Sequence, residues 1–398
     1  MTTQKKQHYV SQFFMRNFSR DSSTIRTYII NNDIHINSSI RDQAQNNKLY
    51  TNELELFLGN MESEASESIK YILLNDKSPI RFSLNHLYIL VYTIIQYIRT
   101  PKIINNINEH NSRFTKMILL SYLKLNNIDV KETDFEIISD YDFSAYIINI
   151  LVHTLWKLVD LEYKIIKNDT DIPFIISDNP AVHYNMLYEK YNYNGGNGLY
   201  SKGFQIILPL SEKHVIIFYD RDIYKIGSNN NKIIKTNDNN DINNINRIQY
   251  MNAINLIMYS DSIYDTMIKK EYKEAYIKYH KYDEILKVYN KSPNGYFIKD
   301  DDQMQEADPV NPNIYTFQSN YNKCKFSINC INYTKLGSRF RNFRKIPSRL
   351  SYEERIFEKY IMKLDKEDKI DEMADLIIKR YKDTLDRFLF APESIKNK

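Results

Sequence analysis

Side chains able to do chemistry gather in a few short stretches of this sequence. His8-Tyr9-Val10-Ser11-Gln12-Phe13-Phe14-Met15-Arg16-Asn17-Phe18 sets a histidine, a glutamine, an arginine and an asparagine among aromatic neighbours that must bury. Polar groups held against apolar surface need partners, and histidine is the side chain that exchanges a proton near neutral pH. The plainer alternative is that His8 hydrogen-bonds a backbone carbonyl and Arg16 makes a surface pair.

Ser177-Asp178-Asn179-Pro180 follows the apolar run Pro173 to Ile176, which places Asp178 where a strand ends and the chain turns. A carboxylate there is exposed by the loop and fixed by the strand, a position suited to holding a metal or substrate. Asp-Asn-Pro is equally an ordinary turn. Glu62, one residue from the apolar row of Met61 and Ala65, borders the core, whereas Glu64 and Glu67 point to solvent. Gln96 and Arg99 stand three residues apart on one face of an otherwise apolar helix, Arg99 also suiting its C-terminal dipole. The stretch 335–349 interleaves Arg339, Arg341, Arg344 and Lys345 with Phe340 and Phe343, a pattern for phosphate contacts and base stacking. A solvated strand face would carry similar residues.

Other chemistries are excluded by spacing and composition. There is no His-x-x-x-His, no Cys-x-x-Cys and no complete calcium loop. Gly-x-Ser-x-Gly and the phosphate-binding glycine loops are also missing. Only 8 of the 398 residues are glycine, against an average near ~7%. Two cysteines, Cys324 and Cys330, make neither a disulfide framework nor a four-thiolate zinc site, and suggest a reducing, cytoplasmic setting. A net charge of +4 means that any charge-based partner must be recognised locally. With 42% hydrophobic residues the chain fills a real core, and it shows neither an apolar leader nor a membrane-spanning run.

The elements that must position these residues follow from periodicity. Thr24 to Ile30 and Ile34 to Ile36 form a hairpin about Asn31-Asn32-Asp33. Leu54, Phe57, Leu58, Met61, Ala65, Ile69, Ile72 and Leu73 mark a helix. Further helices are expected from Leu84 to Arg99, Ile103 to Leu123, Tyr146 to Lys167, Asn243 to Ser260, Ser262 to Tyr289 and Ser351 to Phe390. Strands are expected at Pro173 to Ser177, Phe204 to Leu208, His214 to Tyr219 and Ile223 to Ile226, with short ones at Ile233-Ile234 and within Tyr315 to Tyr333. The fold class is α+β: a predominantly helical core with a small mixed or antiparallel sheet, residues 1–262, and an α-rich, basic C-terminal extension, residues 263–398.

In order along the chain, HYVSQFFMRNF, QYIRTP, FIISDNPAVHY and ILPLS together resemble domain-of-unknown-function family 4238, a bacterial family, over about Lys6 to Ser260. Ser11 stands where that pattern usually has proline. The resemblance implies an antiphage defence effector, since some relatives look like single-gene defence proteins, and it carries His8, Gln12, Arg16, Gln96, Arg99, Asp178 and Asn179, with Glu62, onto matching positions. Such a set fits phosphodiester cleavage of RNA or DNA: His8 as general acid or base, Asp178 with Glu62 holding Mg or Mn, and Arg16 or Arg99 on phosphate. The alternatives are a non-enzymatic sensor or binding module, and a nucleotide or small-molecule transferase. Expected partners are nucleic acid, a phage component as trigger, and a second copy of the chain.

Overall fold

The computed structural model describes residues 6–47, 51–109, 159–191, 198–228, 230–279 and 326–334, single helical positions between 112 and 158, and the backbone at 282–292, 295–298 and 314–321. The chain is α+β. Its largest sheet has five strands in the order β11-β5-β9-β8-β7: Ile233–Thr236, Glu162–Asn168, His214–Tyr219, Gln205–Ser211 and Val182–Tyr184. β11 runs parallel to β5 and the other neighbours are antiparallel. β8 and β9 are buried along their whole length, which is why their sequences are continuous apolar runs instead of alternating ones.

A second, antiparallel sheet has the order β3-β2-β12-β6: Ile34–Ser39, Thr24–Ile29, Leu256–Tyr259 and Ile176–Ser177. The expected hairpin is its edge, with Asp33 in the left-handed region at φ 54° to close the turn. β1 (Lys6–His8) pairs with β4 (Gln45–Asn47), and β10 (Tyr224–Ile226) with β16 (Ile331–Tyr333). β13 (Tyr282–Ser292) lies between β14 (Gly295–Ile298) and β15 (Ile314–Tyr321).

The labelled helices are α1 (Gln12–Arg16), α2 (Asn52–Asn75), α3 (Leu84–Ile98), α4 (Met186–Tyr191), α5 (Asn239–Asn252) and α6 (Asp265–Tyr279), with a further helical stretch at 101–109. Thr51 and Ser83 cap α2 and α3 by accepting the amides of Leu54 and His86. Pro101 opens the 101–109 stretch, where its missing N–H costs nothing. α2, α3, α1 and the five-stranded sheet share one apolar core.

Three expected helices are cut short by strands. Residues 162–167 belong to β5, because Tyr163, Ile165 and Ile166 pack between β9 and β11, and that burial outweighs helical periodicity. The helix through 260 ends at Asn252: Asp178 accepts the amides of Ile254, Asn255 and Leu256, which a continuing helix would have spent on its own carbonyls, and β12 follows. The helix to Tyr289 ends at Tyr279, and within Tyr282–Ser292 residues 282–289 pair in register with β15 and residues 289–292 with β14.

Packing does not stop near residue 262. Phe326, Ile328 and Ile331 enter the main core, Asn329 and Cys330 donate backbone amides to Asp241, and Thr334 donates to the carbonyl of Ile223. The basic stretch 335–349 with Arg339, Phe340, Arg341, Phe343, Arg344 and Lys345, the helices expected over 351–390, and Cys324 lie outside the described residues.

Candidate functional site

The N-terminal stretch is built to hold His8 in one orientation. β1 pairs His8 with Gln45, and the Tyr9 amide donates to Ala44, so the chain reaches α1 with its direction fixed. Ser11 is the N-cap, with φ −63° and ψ 144°. This is the backbone that proline adopts, so a serine in place of the proline that the sequence resemblance puts here leaves the turn unchanged. Its hydroxyl, 2.6 Å from the Tyr92 hydroxyl, is spent across the core instead of on the helix.

From His8 a relay runs outward along one face of α1. His8 Nδ1 donates to the Gln43 carbonyl at 2.9 Å, which leaves the lone pair of the neutral ring on Nε2. Gln12 Nε2 donates to that nitrogen at 2.9 Å, and Arg16 donates to Gln12 Oε1 at 3.0 Å. Burial pushes the His8 pKa down, with the nearby Arg99 charge adding to it and the Gln43 carbonyl and Glu62 opposing. His8 is therefore a neutral imidazole at pH 7, partly exposed, with a defined tautomer.

A second relay approaches from α2 and α3. Tyr92, Gln96 and Arg99 recur on one face at i, i+4 and i+7. Ser11 donates to Tyr92, Tyr92 donates to Gln96 Oε1 at 3.1 Å, and Arg99 donates to the same oxygen at 3.1 Å. Gln96 Nε2 donates to the Tyr9 carbonyl at 2.6 Å, joining α3 to the residue after His8. The Arg99 side chain is 1% exposed and makes an ion pair through Nη1 with Glu62, which is 25% exposed. Glu55, two turns before Glu62 on α2, is a second carboxyl here: burial first and Glu62 second raise its pKa, and Arg99 opposes. His8, Gln12, Arg16, Glu62, Gln96 and Arg99 are thus brought together, from a buried guanidinium at one end to an exposed one at the other.

Asp178 and Asn179 lie on the other side of Tyr9. Asp178 Oδ1 accepts the amide of Ile254 at 2.8 Å, and Oδ2 accepts those of Asn255 and Leu256 at 2.7 and 3.0 Å. Burial raises its pKa, while those amides and the charge of Lys102 hold it down. Asn179 donates to the Asn252 carbonyl at 3.1 Å, and Asn252 donates back to the Asn179 carbonyl at 2.6 Å. Asn246 and Gln249, two turns and one turn earlier on α5, bind the backbone at Pro173, Ile175, Ser177 and Pro180 in the same way. The Ser-Asp-Asn-Pro segment is stitched to α5 by backbone-reading amides. Tyr9 links the two halves: burial and then the Asp178 charge push its phenol pKa up, while its carbonyl serves Gln96.

These donors do not fit one divalent ion shared by Asp178 and Glu62. Asp178 spends both oxygens on backbone amides and Glu62 is committed to Arg99. Among the described residues, no three His, Cys, Asp or Glu side chains come together as metal ligands do. Glu55, Tyr92 and Ser11 were missed from sequence. Glu55 had a legible signal, seven residues before Glu62 on one helical face, whereas Ser11 and Tyr92 meet only through tertiary packing.

The family model described as protein of unknown function (DUF4238) matches residues 6–262. The chain belongs to this family. The DUF4238 match takes in both halves of the polar site and ends before α6. No curated protein and no solved structure matches the chain. Among the described residues, no helix is long and apolar enough to cross a membrane.

Proposed function

We propose that this DUF4238 chain cleaves phosphodiester bonds of RNA or DNA by acid–base chemistry at His8, as the effector of an antiphage response. The observation that supports this most is the fixed tautomer of His8: the Gln43 carbonyl holds Nδ1–H, and the Nε2 lone pair accepts from Gln12, with the charges of Arg99 and Glu62 nearby. A nucleophilic hydroxyl or water that displaces Gln12 from Nε2 would give its proton to the ring, and the exposed Arg16 would meet phosphate charge. General acid–base catalysis of this kind contributes roughly 10²–10⁴-fold. The basic and aromatic stretch 335–349 would add sequence-independent grip on a strand.

A second reading has its own support. Asp178 and Asn179 are engaged with backbone and with each other's neighbours, as in a protein whose polar motif residues only fold a sensor or binding module. Incubation of the purified full chain with total RNA, plasmid and single-stranded DNA, with magnesium, manganese or chelator, separates the two. The nuclease reading expects degradation by the wild type that is lost in a His8→Ala variant with an unchanged melting temperature. Intact substrates in every arm, with a folded wild type, would leave the binding module, and the metal arms show directly whether Mg or Mn is required.

A further inference from the structure

Away from the His8 cluster, the hairpin of β8 and β9 holds a second set of reactive groups. Ser211 ends β8 and His214 opens β9, facing each other across the two-residue turn Glu212-Lys213. Ser211 Oγ lies 3.2 Å from His214 Nδ1, and His214 Nε2 lies 3.2 Å from Asp76 Oδ1. The proton positions follow from the partners. Asp76 accepts from Lys167 Nζ at 2.5 Å, and Lys167 and then His214 hold its carboxyl below the usual range, so it is an ionised acceptor. His214 must therefore carry its proton on Nε2, and burial keeps the ring neutral against the pull of Asp76. Nδ1 is left as the acceptor, and the Ser211 hydroxyl, which itself accepts the Lys213 amide at 3.2 Å, donates its proton to it.

Nucleophile, neutral base and orienting carboxylate in series is the arrangement that activates serine, here with the two ring nitrogens exchanged relative to serine hydrolases. Asp76 ends α2 at φ 48° and ψ 38°, the left-handed backbone with which helices commonly stop, and this fixes where its carboxylate stands. Its side chain is 49% exposed while His214 and Ser211 are 6% and 8% exposed, so the relay runs inward from the surface. Leu74 and Ile80, which flank Asp76 along the chain, are 75% and 73% exposed and offer apolar surface.

We propose that Ser211, His214 and Asp76 form an acyl-transfer site for activated esters with an apolar acyl group. Ser211 Oγ bonds to the ester carbonyl carbon as its proton passes to His214 Nδ1; the ester C–O bond breaks and the leaving alkoxide takes that proton. Water then attacks the acyl-Ser211, giving its proton to His214, and the carboxylic acid is released as Oγ is reprotonated. The site is independent of the His8 cluster and is read separately from nucleic-acid cleavage.

The test is covalent labelling of the full chain by a fluorophosphonate, mapped by peptide mass spectrometry, beside hydrolysis of p-nitrophenyl acetate and octanoate. The expected result is one adduct per chain on Ser211, faster turnover of the octanoate, no adduct in Ser211→Ala, and labelling slowed by about 100-fold in His214→Ala and about 10-fold in Asp76→Asn. Thermal melts check that each variant is folded. Should Ser211→Ala fail to fold, Ser211→Cys preserves the shape, and selective alkylation of residue 211 replaces the readout. A folded wild type that takes up no adduct, or an adduct on another residue that survives in Ser211→Ala, overturns the proposal and leaves the three residues as a stitch between the hairpin and α2.

Discussion

The two polar clusters on either side of Tyr9 use similar residue types to opposite ends. Around Asp178 both carboxylate oxygens accept main-chain amides, and the neighbouring asparagines read backbone from α5. Around His8 the partners are mainly side chains, and the cluster grades from Arg99 at 1% exposure to Glu62 at 25% and the exposed Arg16. A group that binds backbone is committed to the fold, because losing it strands amides that nothing else satisfies. Groups that bind one another can exchange partners when a ligand arrives. The difference separates a staple from a site.

Replacing Asp178 gives the largest expected effect on stability. Asp178→Ala leaves the amides of Ile254, Asn255 and Leu256 without their acceptor in a buried turn, at a cost of about 3 kcal/mol. His8→Ala and Arg16→Ala remove groups that end at solvent and should each cost under about 1 kcal/mol. Denaturant titrations of the three variants decide the comparison. Equal losses for Asp178→Ala and His8→Ala would show that both clusters are structural.

Histidines sharpen the same contrast through pH. His86 is 1% exposed, takes the Phe82 amide on Nδ1 at 3.3 Å, and burial pushes its pKa down to about 4. Between pH 6.5 and about 4 the unfolded chain binds a proton that the folded chain refuses, so stability falls as pH falls through that window. The loss from His86 should reach about 3 kcal/mol near pH 4, and His86→Phe should flatten that part of the curve. His8 is also held below its ordinary value, chiefly by burial, but is partly exposed, so His8→Ala should change the slope less. A steeper acid loss in His86→Phe than in the wild type would contradict the burial argument.

Much of this was legible in the sequence, and the failures have a common cause. Periodicity gave α2 and α3 because a helical stripe is written every three or four residues, and Thr51 and Ser83 stand at their starts as caps. Asp178 was placed correctly at a strand end, but its partners are amides more than seventy residues away, which residue types cannot reveal. The same distant pairing cut the helix expected through Ser260 and turned residues 282–292 into a strand. Gln12 and Arg16 share one face of α1, but His8 lies in β1, so the set was legible only through the resemblance, and it is the turn at Ser11 that brings His8 to Gln12. Glu62 and Arg99 had to be joined by the packing of α2 on α3.

Tyr92→Phe removes one link from the relay that ties Ser11 to Gln96 and leaves the ring packed against Phe13 and Phe14. With the Ser11 hydroxyl and Gln96 still able to find other partners, the cost should be about 1 kcal/mol. A loss of several kcal/mol in chemical denaturation would mean that this relay, unlike the one through His8, belongs with the staple.

The smallest expected effect comes from Ser11→Pro, which installs the residue that the sequence resemblance puts at this position. The backbone at φ −63° and ψ 144° already suits proline, and the stiffer unfolded chain favours folding by about 0.4–1 kcal/mol. Against this stands the hydrogen bond from the Ser11 hydroxyl to buried Tyr92, whose loss costs about 1 kcal/mol. The two nearly cancel, so the melting temperature should move by no more than a few degrees. In Tyr92→Phe the hydroxyl has no phenol to serve, only the gain from proline remains, and Ser11→Pro should become stabilising. If Ser11→Pro destabilises both backgrounds equally, the turn into α1 needs something from residue 11 besides its φ angle, and the orientation of His8 rests on more than that backbone.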